Sequence, residues 1–486
     1  MSSFKLSTLN SERLTSRGYF TLLVLVFASV FFTLLSALTG FVFVEKRAQI
    51  VQEQREQAFH IAEAGLEYYR WHLAHWPSDL KDGTSGNGPY EHTVPDPEGG
   101  TLGTFSLVIN GDLSCGSLTS VTITSTGWTS ANPAYKRTVY ARYTRPSVAD
   151  YSAIINSNVW AGGDRVISGP YHSNGGVRMD GTHNAEVTSG VATWLCTSTF
   201  GCSPNQTKNG VFGSGGPSSL WGFPAPPVDF NGISVDLVKL KGYATSSGQY
   251  LGPSGNYGYK IVLNSDSSFD AYKVTGTTQI WGYTVENGWQ QERTIIATTG
   301  TGTHYAIPPG CPVVFVEDNV WLQGSVSGKV TIASADVTQA NVDRTIVITA
   351  DINYAHATGD GLTAIGERDV LISLQSPNIM AVNGIFIAQK GHFGRNHYCQ
   401  NDCSSKSGDQ GLPSSLDSYV LRSALTTNGT IVSNGRFGTK WTSGGTFVSG
   451  YNQRYDSYDR ELAKSPPPFT PQRSDDFTFV DWREQN

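Results

Sequence analysis

The first strong pattern in the chain is an apolar run from Tyr19 to Val44, 26 residues without a charge. A helix of this length measures about 39 Å, more than the hydrocarbon core of a bilayer at about 30 Å. The apolar region of a secretory signal is shorter, roughly 7–15 residues, and small residues at a cleavage site follow it. The run therefore predicts a membrane-spanning helix. Lys5, Arg13 and Arg17 precede it and favour a cytoplasmic N-terminus.

Beyond this run, apolar residues recur on one face of a continuing helix. Their spacings are 3, 4, 3, 4 and 3 over Phe59, Ala62, Leu66, Tyr69, Leu73 and Trp76. Pro77 disfavours helix at the residue before it, and no proline lies between Tyr19 and Trp76. The pattern predicts one helix over 19–76, about 87 Å long, with its transmembrane part at 19–44. Its outer half would pack the apolar stripe against a globular domain or a neighbouring helix.

Three segments after the helix alternate apolar and polar residues with the period of a β-strand. They are TFSLVIN at 104–110, SVTITST at 120–126 and KRTVYARYTR at 136–145. Strict alternation gives each strand one apolar face. We therefore expect a small antiparallel sheet within residues 77–147, packed on the outer half of the helix.

A different sequence pattern begins near residue 150, where short apolar segments alternate with turns rich in Gly, Asn and Asp. Examples are VVFVEDNVWLQGSVSGKVTIAS and RDVLISLQSPNIMAVNGIFIAQKGHFG. This pattern predicts a right-handed parallel β-helix over 148–460, in which strands pair with the coils above and below. A β-sandwich is the alternative, because short strands with turn signals suit it too. The expected fold class is α+β, mostly β, with 461–486 as a C-terminal tail.

The start of the helix resembles the processing site of type IV prepilins. In RGYFTLL, a basic residue and Gly18 precede an aromatic-Thr-Leu opening of a long apolar helix. The resemblance implies that residues 1–18 are a leader, that a prepilin peptidase cuts between Gly18 and Tyr19, and that the new N-terminus is methylated. The alternative is a simple anchor that is never cut.

One position departs from the major pilins of this family. They carry Glu at the fifth mature position, where it pairs with the N-terminal amine of a neighbouring subunit, and this chain has Leu23 there. A carboxylate within a membrane is costly and persists where it has a partner. Its absence resembles the tip subunits of pili and of type II secretion pseudopili.

Two further segments extend the resemblance. QAFHIAEAGLEYYRWHL at 57–73 resembles PilX-type minor pilins, in which an Ala-Glu-Ala-Gly step follows the membrane segment. The chain end resembles that of PilX N-terminal proteins with a C-terminal β-helical domain: a Tyr-Asp segment, a proline cluster and a final strand with Trp482.

The resemblance implies a function, a location and partners. The chain would be a non-enzymatic minor pilin-like subunit of a type IV pilus or a related secretion filament. Its β-domain would be displayed outside the cell, at the tip, for adhesion or assembly priming. It would be a single-pass protein of the bacterial inner membrane that joins other pilin subunits through its helix and enters an extracellular filament.

The six cysteines can all be paired in an exported protein. Short separations favour the disulfides Cys196–Cys202 and Cys399–Cys403. Cys115 and Cys311 then pair with each other or stay free. Zinc is the alternative near His392 and His397, which lie beside the second pair in GHFGRNHYCQNDC, although the spacing is not that of a common zinc site.

Loop carboxylates are the remaining candidates for metal binding: Asp266, Asp270, Asp351 and Asp360. Such oxygens can bind calcium, but the sequence contains neither an EF-hand loop nor a calcium-binding nonapeptide repeat. We expect them to make local hydrogen bonds in turns instead. No cofactor is therefore expected, and structural calcium is the alternative.

Charge and motifs narrow the function classes further. The net charge is −6, and no basic patch indicates a nucleic-acid partner. No G-x-S-x-G, phosphate-binding loop or recognisable carboxylate pair is present, so no enzymatic activity is expected. The alternatives are a membrane-anchored enzyme that acts on glycans and a static surface adhesin. Several tryptophans could stack on a glycan ligand or simply pack: Trp160, Trp194, Trp221, Trp281 and Trp289.

Overall fold

The computed structural model describes residues 17–339, 341–401 and 410–485. Helix α1, Arg17–His75, is continuous, which confirms the long N-terminal helix that the sequence predicts. Two shorter helices, α2 (Leu237–Ser246) and α3 (Arg460–Lys464), lie in the strand-rich remainder. Most of the expected leader, residues 1–16, lies outside the described residues.

A five-stranded antiparallel sheet packs on the C-terminal half of α1, and we call it the helix-packed sheet. Its first four strands follow α1 in order: β1 (Tyr90–Pro95), β2 (Thr101–Ser114), β3 (Ser117–Thr129) and β4 (Lys136–Thr144). The three alternating segments of the sequence form β2, β3 and β4. The fifth strand is Thr478–Gln485, which pairs antiparallel with β4 from the far end of the chain. The helix-packed sheet is therefore completed only after the rest of the chain has folded back.

Most other strands join one 21-stranded sheet that contains parallel and antiparallel pairs. Its longest parallel ladder, the first ladder, has ten strands. In spatial order they are Gln249–Leu251, Val313–Val316, Lys329–Ser334, Gly361–Gly366, Ile379–Ala388, Leu421–Ser433, Ala153–Ile155, Tyr171–Ser173, Val187–Ser189 and Trp221–Gly222. At about 4.8 Å per strand, the ladder is roughly 43 Å long.

Other parallel pairings run beside the first ladder. The second ladder contains Tyr259–Asn264, Val320–Val326, Ile346–Tyr354, Val370–Ile372 and Phe393–Gly394. The third ladder joins Leu421–Ser433 to Thr446–Ser457, Arg165–Ser168 and Thr182–His183. A separate parallel sheet contains Val159–Ala161, Val177–Met179 and Val211–Phe212.

The chain enters this stack in its middle. Residues Ala153–Ile155 pair on one side with Tyr171–Ser173 and on the other with Leu421–Ser433. The chain first builds one end of the stack as far as Trp221–Gly222. It then crosses through α2 to the opposite end at Gln249–Leu251 and returns coil by coil. Early and late segments are therefore neighbours at the centre of the stack.

Three antiparallel excursions leave the parallel ladders. The knob is Thr193–Cys196 paired with Gln206–Asn209. The long hairpin is Ser268–Thr284 paired with Gly288–Ala306. The short hairpin is Lys440–Ser443 paired with the start of Thr446–Ser457. All three are insertions in the segments that connect the parallel strands, and they leave the length of the first-ladder strands unchanged.

The inner strands of the first ladder, such as Val313–Val316 and Gly361–Gly366, are buried on both faces, whereas its two end strands are only partly buried. One face joins the largest apolar core, with side chains such as Val314, Val316 and Ile332. The opposite face, with Val313 and Phe315, is covered by the apolar side of α2 and by α3. Burial on two faces explains why these strands read as continuous apolar runs and lack strict alternation.

Candidate assembly helix and side cleft

The N-terminal half of α1 projects from the globular part with its apolar side chains uncovered. Phe20, Phe27 and Phe43 are 70%, 66% and 74% exposed. This stretch contains a window of mean hydropathy 2.5, none of which is buried, so its length and composition suffice to cross a membrane. An apolar surface of this size needs lipid or other apolar helices around it.

The predicted processing site lies at the very start of this helix. Gly18 and Tyr19 belong to its first turn, and Tyr19 is 75% exposed. Leu23, at the position where major pilins have Glu, is 39% exposed. Cleavage at this bond and methylation remain predictions.

The C-terminal half of α1 buries one face on the helix-packed sheet. The buried side chains, each at most 2% exposed, are Ala58, Ile61, Ala62, Leu66, Tyr69 and Leu73. Four of the six residues of the predicted stripe are among them. The prediction was wrong for Trp76, which is 51% exposed because α1 ends at His75, and Phe59 is only partly buried.

Small residues let α1 approach the sheet closely. A Cβ atom added to Gly127 of β3 would lie 3.0 Å from the Cα of Ala62 and closer still to the carbonyl oxygen of Ala58. A Cβ added to Gly65 would lie 2.9 Å from the ring of Phe105. The Ala-Glu-Ala-Gly step therefore has a packing role: it lets the helix backbone lie directly on β3. Tyr143 of β4 ties the same turn by donating its hydroxyl to the Leu66 carbonyl oxygen at 2.7 Å.

A disulfide joins the helix-packed sheet to the large sheet. Cys115, in the turn between β2 and β3, is bonded to Cys311, with 4.4 Å between their Cα atoms. The Cys115 amide also donates to the carbonyl oxygen of Gly310 at 2.9 Å. Of the two outcomes that the sequence left open for these cysteines, pairing is the one observed.

Polar contacts surround this junction. Arg142 of β4 reaches Asp112 at 2.7 Å and the Ser465 hydroxyl at 3.1 Å, and Lys329 donates to the same hydroxyl. Burial, together with the nearby positive charge of Arg142, lowers the pKa of Lys329 to about 8. The fifth strand, the disulfide and this cluster hold the two parts of the protein together at separate points.

Of the two disulfides that the sequence predicts at short separation, the one within the knob is confirmed and the other stays a prediction. Cys196 and Cys202 form the expected disulfide within the knob. Cys399 is buried and disulfide-bonded, and its predicted partner Cys403 lies outside the described residues.

The aspartates considered for metal binding already have hydrogen-bond partners. Asp360 accepts from the amides of Gly328 and His356 at 2.7 and 2.6 Å. Asp351 accepts from the Ala381 amide at 3.0 Å. Within the described parts of the chain, no group of three or more His, Cys, Asp or Glu side chains could hold a metal ion. Asp266 and Asp270 likewise accept from neighbouring side chains, Ser268 for the first and His304 for the second.

The two histidines take different roles beneath the long hairpin. His392 pairs with Asp369 at 3.0 Å; burial lowers its pKa, but the hydrogen bond and charge of Asp369 outweigh burial and raise it overall. Burial and the charge of Arg395 lower the pKa of His397 to about 4. The His397 ring lies among three aromatic rings: Tyr283, Trp289 and Trp441.

A buried carboxylate fastens the long hairpin to the second ladder. Glu292 accepts from Asn396 at 2.5 Å and from the hydroxyl of Tyr398. Burial raises the pKa of Glu292 despite these donors. Because its partners already use both oxygens, the arrangement supports a structural role for this carboxylate.

The three excursions meet around one recess, which we call the side cleft, with a volume of about 500 Å³. Its walls are residues 198–201 of the knob, 283–286 of the long hairpin and 440–445 of the short hairpin. Arg436 and Phe437 also line it. Of the tryptophans singled out in the sequence, Trp160 lines the cleft, whereas Trp194 is buried within the knob.

Sequence reasoning missed the side cleft. Its main residues come from three distant parts of the chain: Trp160, Tyr283, and the neighbours Arg436 and Trp441. No spacing rule links them, because their proximity depends on late coils stacking against early ones. Two turn signals were local signs of excursions here: NG at 287–288 in the long hairpin and SGGT at 443–446 in the short hairpin.

The similarity of this chain to known proteins is low. No family model matches the chain, and no curated protein matches it. Among solved structures, the competence-associated pilin ComZ from Thermus thermophilus is similar, with 12% identity over 89% of this chain and 97% of that chain. The TM-score is 0.27, which is too low to carry an argument about fold or function.

Proposed function

We propose that this chain is a minor pilin-like subunit of a type IV pilus or a related secretion filament. The observation that carries the proposal is the form of α1. One continuous helix has an uncovered apolar half and a half that carries the globular part. Such a helix can exchange lipid for the apolar helices of sister subunits while the globular part stays in water. The partners are other pilin or pseudopilin subunits, reached through this helix.

The start of α1 supports processing by a prepilin peptidase. The bond between Gly18 and Tyr19 lies where the RGYFTLL resemblance puts the cleavage site, and Tyr19 is exposed. Cleavage and methylation there would produce a mature chain that starts within the apolar segment. The protein would be held in the inner membrane before assembly and would reach the cell exterior within a filament.

Leu23 supports a place at the filament tip. A shaft subunit needs a carboxylate at this position to neutralise the N-terminal amine of its neighbour in an apolar bundle. Leu23 offers no charge, so this chain suits a position in which that pairing is not required. The PilX-type Ala-Glu-Ala-Gly step, which lets α1 lie on β3, supports the same class of minor subunit.

The parallel ladders support our interpretation of the strand-rich part as a right-handed parallel β-helix. Ten strands of the first ladder are stacked in parallel, and the second and third ladders run beside it. Displayed at the tip, this β-domain would serve adhesion or assembly priming, and a surface glycan is a candidate ligand.

The chemistry of the side cleft supports a non-enzymatic role. Asp164, a carboxylate of the cleft, is paired with both Arg454 and Lys440. Burial alone would raise its pKa, but these two partners lower it. A carboxylate held in its charged form is a poor proton donor for glycoside hydrolysis. We expect no cofactor and no catalytic metal.

N-terminal mass spectrometry of the protein from cells with and without the prepilin peptidase tests the proposal. We expect a chain that begins at a methylated Tyr19 only when the peptidase is present. The variant Gly18→Leu should retain its leader. Gly40→Leu is the matched control, because a Cβ at Gly40 meets nothing within 4 Å, and it should be cut normally.

Purified filaments provide the second readout. The processed chain should be found in them at low stoichiometry, and labelling should place it at filament ends. A chain that keeps its leader in both strains, and that never enters filaments, would show that it is a simple membrane anchor.

A further inference from the structure

The walls of the side cleft come from excursions on separate coils. The knob leaves after Val187–Ser189, the long hairpin after Tyr259–Asn264, and the short hairpin after Gly438. The Cys196–Cys202 disulfide stiffens the knob, and the antiparallel bridge between Tyr283 and His397 holds the long hairpin on the second ladder. Excursions that converge in this way form a concave site on an otherwise regular stack.

The cleft carries excess positive charge in an acidic protein. Arg454 reaches Asp164 with two hydrogen bonds of 2.8 and 3.0 Å, and Lys440 reaches the same carboxylate at 3.3 Å. Two cations therefore share one anion. Arg436 and Arg395 add a third and a fourth cation, whereas Glu286 is the other carboxylate of the lining. The chain as a whole has a net charge of −6, so the positive sign of the cleft is local.

Arg436 is the cation best placed to bind a ligand. No carboxylate of the described residues lies within ion-pair distance of it, and its Nη1 is buried without a hydrogen-bond partner among them. Its Nη2 donates only a long bond, 3.4 Å, to the carbonyl oxygen of Thr199. The guanidinium lies 4.5 Å from the ring centre of Phe200. A planar donor with an unpaired Nη1 matches a carboxylate well.

Aromatic rings stand on two sides of the cleft. Trp441 donates its Nε1–H to the Arg395 carbonyl oxygen at 2.9 Å, and its ring meets Tyr283 edge-on at 5.9 Å. Trp160 donates to Asp180 at 2.8 Å, with the Arg178 guanidinium 4.1 Å from its ring centre. These bonds fix the indole rings in place. Rigid rings beside polar groups suit the apolar face and hydroxyl edge of a sugar.

We propose that the side cleft binds a carboxylated sugar residue of an acidic glycan, with Arg436 pairing with the carboxylate and Trp441 packing on the sugar ring. This deepens, and rests on, the proposed display of the β-domain outside the cell. A neutral sugar leaves Arg436 unpaired in the cleft, and a free carboxylate without a sugar leaves the aromatic side unfilled. The specificity is therefore for both features in one ligand.

Calorimetry on the full-length chain in detergent micelles tests the proposal, with trigalacturonic acid as the probe. Its fully methyl-esterified form is the matched neutral ligand. We expect the acid to bind about 10-fold or more tightly than the ester, because a hydrogen bond to a charged group is lost with the ester. Rising salt concentration should lower the affinity for the acid but not that for the ester, because salt screens the interaction between charges. Equal binding of both forms, or no binding of either, would overturn the proposal.

Variants assign the effect to the cleft. Arg436→Gln should lower the affinity for the acid by about 10- to 100-fold and leave the affinity for the ester unchanged. Trp441→Ala should lower the affinity for both the acid and the ester. Arg483→Gln is the matched control: its guanidinium also lies over a ring, that of Tyr140 at 4.6 Å, but in the helix-packed sheet, and it should bind like the wild type. If Arg436→Gln binds the acid normally, the assignment of Arg436 is wrong.

Two further experiments distinguish failure of this inference from failure of the proposed function. An oligothymidylate of equal charge should bind more weakly than the acid. Equal or tighter binding would mean that the cleft recognises phosphate groups and not a carboxylated sugar. Arg436→Gln should enter filaments like the wild type. A chain that binds the acid but never enters filaments would refute the proposed function alone, whereas a filament subunit that ignores the acid would refute this inference alone.

Discussion

The close contact between α1 and β3 makes a strong prediction for Gly127→Ala. The added Cβ would lie 3.0 Å from the Cα of Ala62, and nearer to the Ala58 carbonyl oxygen. Ordinary contact begins at 3.4 Å, so the helix must retreat by at least about 0.4 Å along this line, and further at the carbonyl. The obstacles are backbone atoms of α1, which cannot turn aside as a side chain can.

The magnitude follows from what the retreat loosens. A gap of about 0.5–1 Å removes a quarter to a half of the attraction of each contact, and six buried side chains of α1 share this interface. Overpacking in a core costs about 1–3 kcal/mol, and we expect the upper part of that range. For a unit of roughly 100 residues the midpoint of unfolding should fall by about 10 °C or more.

Thermal unfolding by circular dichroism in micelles measures the loss, and hydrogen exchange locates it. Peptides of β3 and β4 should exchange faster, whereas those of the first ladder should not change. Gly242→Ala is the matched control, because α2 leaves open space around Gly242. The same change there should stabilise by about 0.5–1 kcal/mol through helix propensity. If Gly127→Ala were as stable as the wild type, the proposed close approach of α1 to β3 would be wrong.

Three further outcomes are expected. Leu23→Glu should move the subunit from filament ends into the shaft, as seen by immunogold labelling; labelling that stays at the ends would contradict the tip argument. The Cys115→Ser/Cys311→Ser pair should expose the β2–β3 turn to hydrogen exchange at a cost of about 2–4 kcal/mol, whereas Cys196→Ser/Cys202→Ser should affect only the knob. The pKa of His392 is raised and that of Asp369 is lowered. Their ion pair therefore stabilises the folded protein fully between the ordinary pKa values of the two groups, about pH 4 and 6.5. That stability should be lost as pH rises through the folded pKa of His392, with a slope of at most about 1.4 kcal/mol per pH unit; His392→Gln should remove this slope in urea titrations between pH 6 and 9.

Local patterns in the sequence predicted α1 and β2 to β4. Apolar periodicity is a property of neighbouring residues, so the long helix, most of its buried stripe and the three alternating strands could be predicted without tertiary information. The end of the stripe could not. Trp76 has the right spacing, but α1 ends before it, and its ring contacts Trp71 and His72 of α1 while remaining 51% exposed.

The pairing of distant segments was decided by the tertiary structure. No local pattern indicates that Thr478–Gln485 completes the helix-packed sheet beside β4, or that Leu421–Ser433 stacks on Ala153–Ile155. Both pairings form because an open strand edge gains hydrogen bonds and apolar burial from whichever segment the rest of the chain delivers to it. The pairing of Cys115 with Cys311 follows from the same docking of the two sheets.

The side cleft depends on these distant pairings throughout. Residues 160, 283, 436 and 441 are neighbours only because late coils return to lie against early ones. The sequence by itself determined that an apolar helix, a small alternating sheet and a strand-rich region exist, since each rests on short-range periodicity. Only the folded chain decided how they are joined and where a ligand could bind, because those properties arise from contacts between residues far apart in sequence.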